Sequence, residues 1–396
     1  METIHNNDRT IMISQFMDEL LNNRQDSKIQ IYQKYESIIT SVTPMDIFYL
    51  DMYKQNTMFT IKEITRSADK FVNVFHQSLK KFEITDYKHD FFKLIYKESL
   101  AIENHLKSLK QLIKKDEMTN NDKQIFYEEI KKCEEINLKY IKIENILFPH
   151  IEDKVPSNMP IKVLWELHDF ARKTLKEILE MLKSETFSQK EFLILIGEYY
   201  FLIYGINLKE QLILNPVAVQ LLSKLELDLM FNEMLEYGFA FISETYSKKI
   251  IESVHMTNLK NTIFDTASGT LKLTEIELIL NILPIDITFV DEFNKVKYFN
   301  NTQHRVFPRN PSIIGRDVKN CHPQKSVTIV ENIIQSFRDG KKDSAEFWLN
   351  FNSKMIYIMY LALRNNQNKY VGVLEVSQDI TELRALEGEK RLLDWQ

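Results

Sequence analysis

The sequence is short of the residues that staple, hinge or span. It has two cysteines, Cys133 and Cys321, in 396 residues. That is too few to build a disulfide framework, and the usage fits a reducing, cytoplasmic setting. There are only eight glycines. Glycine is costly inside helices and is therefore sparse in long ones, so its scarcity points to a mostly helical N-terminal half. No unbroken apolar run of about 18 residues occurs, so no transmembrane helix is expected. The most apolar stretch, Phe192 to Ile206, is interrupted by Gly197-Glu198 and reads as a buried bundle helix. The first residues, Met1 to Asp8, are polar and carry no signal-type core. Basic excess is also missing: 51 Lys and Arg face 56 Asp and Glu, a formal net charge of −5. Such a chain has no broad basic field to draw nucleic acid, and Lys110 to Lys115 reads as a solvated helix face. No nucleophile–base arrangement, glycine-rich phosphate loop or Cys-x-x-Cys pair presents itself, so no catalytic activity is expected.

What is present begins with helix punctuation. Short amphipathic helices are expected over Ile11 to Leu21 and Ile29 to Ile39. Thr43-Pro44 with Asp46 has the form of a helix start. Thr60-Ile-Lys-Glu63 has the form of a capping box, with a helix to about Phe82 behind it. Residues 1–84 thus read as a helical domain or collar. Four longer helices follow within 85–220: His89 to Ile113, Asn121 to Phe148 stopped by Pro149, Pro160 to Leu182, and Ser188 to Leu214 before Pro216. Their short connections predict an antiparallel bundle. Residues 221–270 read as a helical connector ending in a linker at Thr266 to Thr270, and 382–396 as a C-terminal amphipathic helix carrying Leu383, Leu386, Leu392 and Trp395.

Residues 271–381 change character. A helical run from Leu273 to Leu283 leads into two strand-like runs, Asp286 to Asp291 and Lys295 to Asn300, joined by a tight turn at Glu292 to Asn294. An irregular segment, a helix over Val327 to Phe337, and three strand-like runs follow: Ala345 to Phe351, Met355 to Leu363 and Tyr370 to Val376. This order, closed by Asp379-Ile-Thr381, resembles a PAS sensor domain. More narrowly, Leu283 to Asp291, Phe307-Pro-Arg309, Ile314-Gly-Arg316, Cys321-His-Pro323, Glu346-Phe-Trp348 and Leu374 to Thr381 resemble the PAS domain of one bacterial family. In that family a hemerythrin-like helical region precedes a C-terminal PAS domain. The implied fold class is α+β and multidomain: an all-α N-terminal region with a hemerythrin-like four-helix bundle, then a PAS domain with a five-stranded antiparallel sheet.

Lys142 to Pro149, Val163 to Asp169 and Lys209 to Pro216 are similar to motifs of the same family's hemerythrin-like region. Such a region holds two irons through inward-facing histidines and carboxylates. The resemblance implies Glu98, Glu144, His168 and Glu210 as the metal-ligand positions, one per helix. Where the family pattern has histidines, this chain has Asp90, Lys93 and Lys139. A lysine ammonium, with an ordinary pKa of about 10.4, is a poor ligand at neutral pH. A di-iron centre, a single weakly held metal and a metal-free bundle with buried Lys–Glu pairs all remain open.

A PAS fold alone does not choose its ligand. His322 is positioned to offer an imidazole to heme, and His304 is a weaker alternative. Cys321 lies six residues after Gly315, not at the offset of flavin photosensors. Arg309 and Arg316 could clamp a carboxylate or phosphate, or pair with Asp317 and Glu375. Trp348 and Tyr357 join the pocket set, first of all as core residues. Heme, iron and no cofactor stay open. The expected role is a signalling protein that binds a small ligand or responds to redox or gas signals. A metal-dependent oxygen or nitric-oxide handler is the second reading, and a structural adaptor the third. Expected partners are a small molecule or a protein, with homodimer formation open and neither nucleic acid nor membrane involved.

Overall fold

The computed structural model describes residues 7–22, 28–50, 61–112, 118–184, 186–249, 263–266, 268–302, 305–307, 309–322, 324–351 and 353–389. The chain divides into two compact units, Met1–Ile251 and Glu252–Gln396.

The first unit is helical. Four short helices, α1 (Asn7–Asn22), α2 (Lys28–Lys34), α3 (Glu36–Ile39) and α4 (Pro44–Tyr49), precede α5 (Ile61–Leu79). The expected start at Thr43 is present: its side chain accepts from Asp46 N–H while the Asp46 carboxylate accepts from Thr43 N–H, with Pro44 in the first turn. Thr60, expected to cap α5, lies outside the described residues. This segment does not form a core of its own. Phe16, Phe48 and Phe75 pack in one cluster with Phe91, Ile95, Phe148, Leu214 and Met230 from the long helices.

The long helices are four rods. The first is α6 (Asp90–Leu112); the second joins α7 (Asn120–Lys131), α8 (Ile136–Lys142) and α9 (Phe148–Glu152); the third is α10 (Met159–Lys183); the fourth joins α11 (Gln189–Lys209) to α12 (Asn215–Leu221). Among them α6 packs on α7, α7 on α10, α10 on α11 and α11 on α6. A second core of Ile102, Phe126, Ile130, Leu167, Ile178, Phe192 and Ile203 lies between them.

Neither Pro149 nor Pro216 ends its helix, against expectation. Each follows one wide π-type turn, Ile143–Leu147 and Glu210–Leu214. Phe148 N–H reaches back five residues to Ile143 O, and Asn215 N–H to Glu210 O. Proline has no N–H to give and its ring crowds the carbonyl four residues back. A wide turn ending just before the proline relieves both problems, so the rod continues through it.

The rod Gln189–Leu221 is long and apolar enough to cross a membrane by length and composition alone. One side of the rod, carrying Phe192, Ile196, Tyr199, Ile203 and Ile206, is buried within the unit, while Ile194 and Phe201 are exposed.

Beyond α13 (Lys224–Met234) the chain is irregular to residue 249. The expected linker holds a two-stranded antiparallel hairpin instead, β1 (Ile263–Thr266) and β2 (Gly269–Lys272). After it come α14 (Leu273–Ile282), β3 (Asp286–Asp291), β4 (Val296–Phe299), α15 (Gln324–Arg338), β5 (Ser344–Phe351), β6 (Lys354–Arg364) and β7 (Tyr370–Asp379). The last five strands form one sheet in the order β4-β3-β7-β6-β5, every pair antiparallel. The turn between β3 and β4 is tight because Asn294 adopts φ 65°, a left-handed conformation asparagine tolerates. Val290, Val296, Val373, Val330, Ile334 and Phe337 form the core between one sheet face and α15. The expected C-terminal helix does not form over its described part, which has a single 3-10 turn at Leu383–Ala385; Leu392 and Trp395 lie outside the described residues.

Candidate functional site

Among the described residues two buried polar clusters carry titratable groups from several elements, one in each unit. The helical one is built by the wide turns. Glu144 and Glu210 sit at the start of the two π-type segments, and both are buried. His168 on α10 lies between them: Nδ1 is 2.8 Å from Glu144 Oε1, and Nε2 is 3.5 Å from Glu210 Oε1. The Tyr140 ring stacks on the imidazole at 4.0 Å and 9°. Arg172 donates to both oxygens of Glu144, at 2.7 and 2.8 Å, and to Asp169.

Lysines fill the remaining space. Lys139, fully buried, donates to Glu210 and, at 2.8 Å, to Asn207 Oδ1. Lys142, also fully buried, donates at 2.8 Å to Glu98 Oε1, which accepts from Ala240 N–H as well. Burial pushes Glu98 up and Lys142 down, each opposed by its partner. For Glu144, burial is outweighed by His168 and Arg172 together, and for Glu210 by Lys139 and His168; both carboxyls stay below the usual range.

The structure therefore brings Glu144, His168 and Glu210 together, and leaves Glu98 in a separate pair with Lys142. This donor set does not fit a pair of irons. It contains one imidazole, and two ammonium groups, which can only donate, already occupy lone pairs of Glu98 and Glu210. Among the described residues no group of three or more His, Cys, Asp and Glu side chains could hold a metal ion.

The second cluster lies on the α15 side of the five-stranded sheet. Strand register puts Thr288, Glu375, Tyr360 and Ala345 side by side across β3, β7, β6 and β5. Alternation along the strands then places Val290, Val373 and Ala362 on this same inward face. Glu375 is thus an acid at an inward position among valines. The segment after β4 crosses over it. Arg305 is held there by the carbonyls of Asn300, Ile287 and Phe307 and by Thr288 Oγ1. Burial brings the Arg305 guanidinium down to about 10, with Asp286 opposing.

Arg309 approaches Glu375 at 3.8 Å, with side chains 12% and 9% exposed. That is an ion pair without a hydrogen bond. Two buried nitrogens here have no hydrogen-bond partner, Arg309 Nε and His322 Nε2, and neither has Nδ2 of Asn310, next in sequence to Arg309. Burial pushes His322 down, with Glu375 pulling the other way and Arg309 adding to the shift. Burial, reinforced by Glu375, drives the Tyr360 hydroxyl well above its ordinary range. Beside this polar end, Phe307 packs on Phe351 with ring centroids 5.6 Å apart, and Phe347 packs on Tyr360 at 6.0 Å.

Of the expected pocket residues, Arg309 and His322 meet in this cluster. Arg316 is buried beside β4, its carbonyl accepting from Val296 N–H. Trp348 and Tyr357 are a correction. They pair across β5 and β6 on the opposite face, where Trp348 is 66% exposed and Tyr357 donates to Glu346. Sequence identifies the strands, but whether odd or even positions face inward follows only from the register. His304 lies outside the described residues. Tyr360, Arg305 and Asn310 were not foreseen as pocket residues. For Glu375 there was a signal, a lone acid in the apolar run Val371 to Val376.

The PAS domain family model matches residues 276–381. Among solved structures, the C-terminal domain of a protein from Streptococcus mutans is 34% identical, covering 32% of this chain and 99% of that one, with a TM-score of 0.31. A PAS domain from Colwellia psychrerythraea is 17% identical over 28% of this chain and 98% of its own, TM-score 0.23. A sensory box sensor histidine kinase from Vibrio cholerae is 12% identical over 27% of this chain and 90% of its own, TM-score 0.22. No curated protein matches this chain.

Proposed function

We propose, taking as premise that residues 276–381 are a PAS domain, that this chain is a sensor without catalytic activity, which binds a small molecule between its antiparallel sheet and α15. The observation that carries the reading is the pair of buried, unpartnered nitrogens of Arg309 and His322 beside Glu375, with a third on Asn310, next in sequence to Arg309. Leaving such a group unmade costs about 1–3 kcal/mol each, and folded proteins leave few of them. Their concentration at one place is what a ligand site requires.

In the same reading the helical unit is a hemerythrin-like bundle that has exchanged metal binding for ion pairing, and it is the part that responds. Its Lys139–Glu210 and Lys142–Glu98 pairs fix the geometry that iron would otherwise fix. We place the protein in the cytoplasm of a bacterium, off the membrane and away from nucleic acid. The buried pairing of Glu210 with Lys139 and the pairing of buried Lys209 with exposed Asp69 support keeping the apolar rod Gln189–Leu221 inside its own unit.

The test is a native mass spectrum and an absorption spectrum of the full chain, purified without added ligands. A bound small molecule, lost when Arg309→Gln is introduced, is the expected result. A chain that carries no small molecule and acquires none from a cell extract would sink the sensor reading. Two tightly held irons per chain would replace it with the metal-dependent one.

A further inference from the structure

We infer that the interior of the PAS domain takes a zwitterionic amino acid with an apolar side chain. Its carboxylate would sit on Arg309, Asn310 and His322, and its ammonium on Glu375. The inference rests on the sensor reading above and names the ligand of that same site.

The unpartnered nitrogens include donors with nowhere to donate. Arg309 Nε and Asn310 Nδ2 are N–H groups, and His322 Nε2 is one in either the charged ring or the matching tautomer. Asn310 is 2% exposed, so water does not serve it freely. Arg309 lies beside Glu375 and within electrostatic reach of His322, and a donor pair that includes a guanidinium is complementary to a carboxylate, which presents two oxygens and about four lone-pair directions. Arg305, the other guanidinium here, is committed to protein carbonyls and Thr288. The anchoring charge is therefore Arg309.

A carboxylate alone would leave the site unbalanced. Glu375 is buried, and its contact among the described residues is the 3.8 Å approach of Arg309. If an anion drew Arg309 to itself, Glu375 would be a buried carboxylate with no donor, which is costly. An ammonium group cancels that cost, because it brings up to three donors and the opposite charge. A carboxylate and an ammonium on one carbon lie close enough together to meet an arginine and a glutamate that are neighbours. The rest of the ligand meets carbon: Phe307, Phe351 and Phe347 stand on the inward side next to the polar end, with Phe347 and Phe351 each 39% exposed. Aromatic side chains left partly open on a face that should be covered fit an apolar ligand body.

The experiment is calorimetry on the full chain, stripped of any bound molecule, with four probes: L-phenylalanine, L-leucine, 3-phenylpropionate, which lacks the ammonium, and phenethylamine, which lacks the carboxylate. The expected result is an amino acid bound at least about tenfold more tightly than either one-charge analogue, the scale of one charged hydrogen-bonding anchor. Arg309→Gln should abolish that advantage over phenethylamine, and Glu375→Gln should abolish it over 3-phenylpropionate. Circular dichroism melts would certify that both variants fold. If 3-phenylpropionate binds as well as phenylalanine, the ammonium site is wrong and the inference falls. Absence of binding by all four probes also overturns it. The native mass spectrum separates that failure from failure of the sensor reading: another bound molecule keeps the sensor and removes only the amino acid. A heme absorption band would do the same.

Discussion

Lys139 and Glu210 show how one buried ion pair limits what a site can do. Both are buried, and the lysine occupies the acceptor directions that a cation ligand set would need. A buried pair of this kind adds little net stability compared with a well-packed apolar pair. Breaking it is different, because one charge is left without a partner; removal of one member costs about 3–5 kcal/mol. Lys139→Met is therefore expected to destabilise the helical unit by about that amount. The double variant Lys139→Met/Glu210→Met is expected to recover most of the loss. Urea unfolding followed by far-ultraviolet circular dichroism checks both. Equal losses in the single and double variants would show that the pair is not the origin of the effect.

At the level of elements, the clearest constraint is in β7. Gly372 has φ 150°, and a Cβ there would lie 2.3 Å from Val290 O, 2.7 Å from the Phe289 ring and 3.2 Å from Asp291 Cα. The first and last contacts are with backbone, so β3 and β7 would have to separate. Gly372→Ala is expected to cost on the order of 3 kcal/mol, from disfavoured backbone and overpacking together. The loss should appear as a lower melting temperature and faster proteolysis of residues 271–381, and a melt within a degree of the parent would contradict it. The sequence made the strands themselves legible: β3, β5, β6 and β7 lie within a few residues of their expected bounds, because apolar alternation and the turns around it are local signals. The continuation of helices through Pro149 and Pro216 was not legible. A proline normally marks an end, and the wide turn that carries the rod past it, holding Glu144 or Glu210, leaves no separate signal in the sequence. Nor was the inward parity of Tyr360 and Glu375 over Tyr357 and Leu374, which depends on strand register rather than on composition. The site was accordingly half legible: Arg309 and His322 stood out by residue type, Glu144, His168 and Glu210 through the resemblance, and Glu375 and buried Lys–Glu pairs were open as partners, while Arg172, Arg305 and Tyr360 did not stand out.

For the whole molecule, the sensor reading demands more than a filled pocket. A ligand can shift an equilibrium only by the difference in its affinity for two states, and a signal exists only if one of those states differs beyond the pocket. The helical unit, Met1–Ile251, is the responding part in this reading. The expected outcome is that saturating the PAS domain with its ligand changes hydrogen exchange in residues 7–249, first in the segments around the two π-type turns. Those turns are where the regular ladder is interrupted and where the buried Glu144 and Glu210 sit. Exchange mass spectrometry with and without ligand measures this directly, and Arg309→Gln provides the control in which ligand is present but not held. Protection confined to residues 271–381 would mean that the PAS domain binds without informing the rest of the chain. The helical unit would then need a different explanation for carrying so many buried charges.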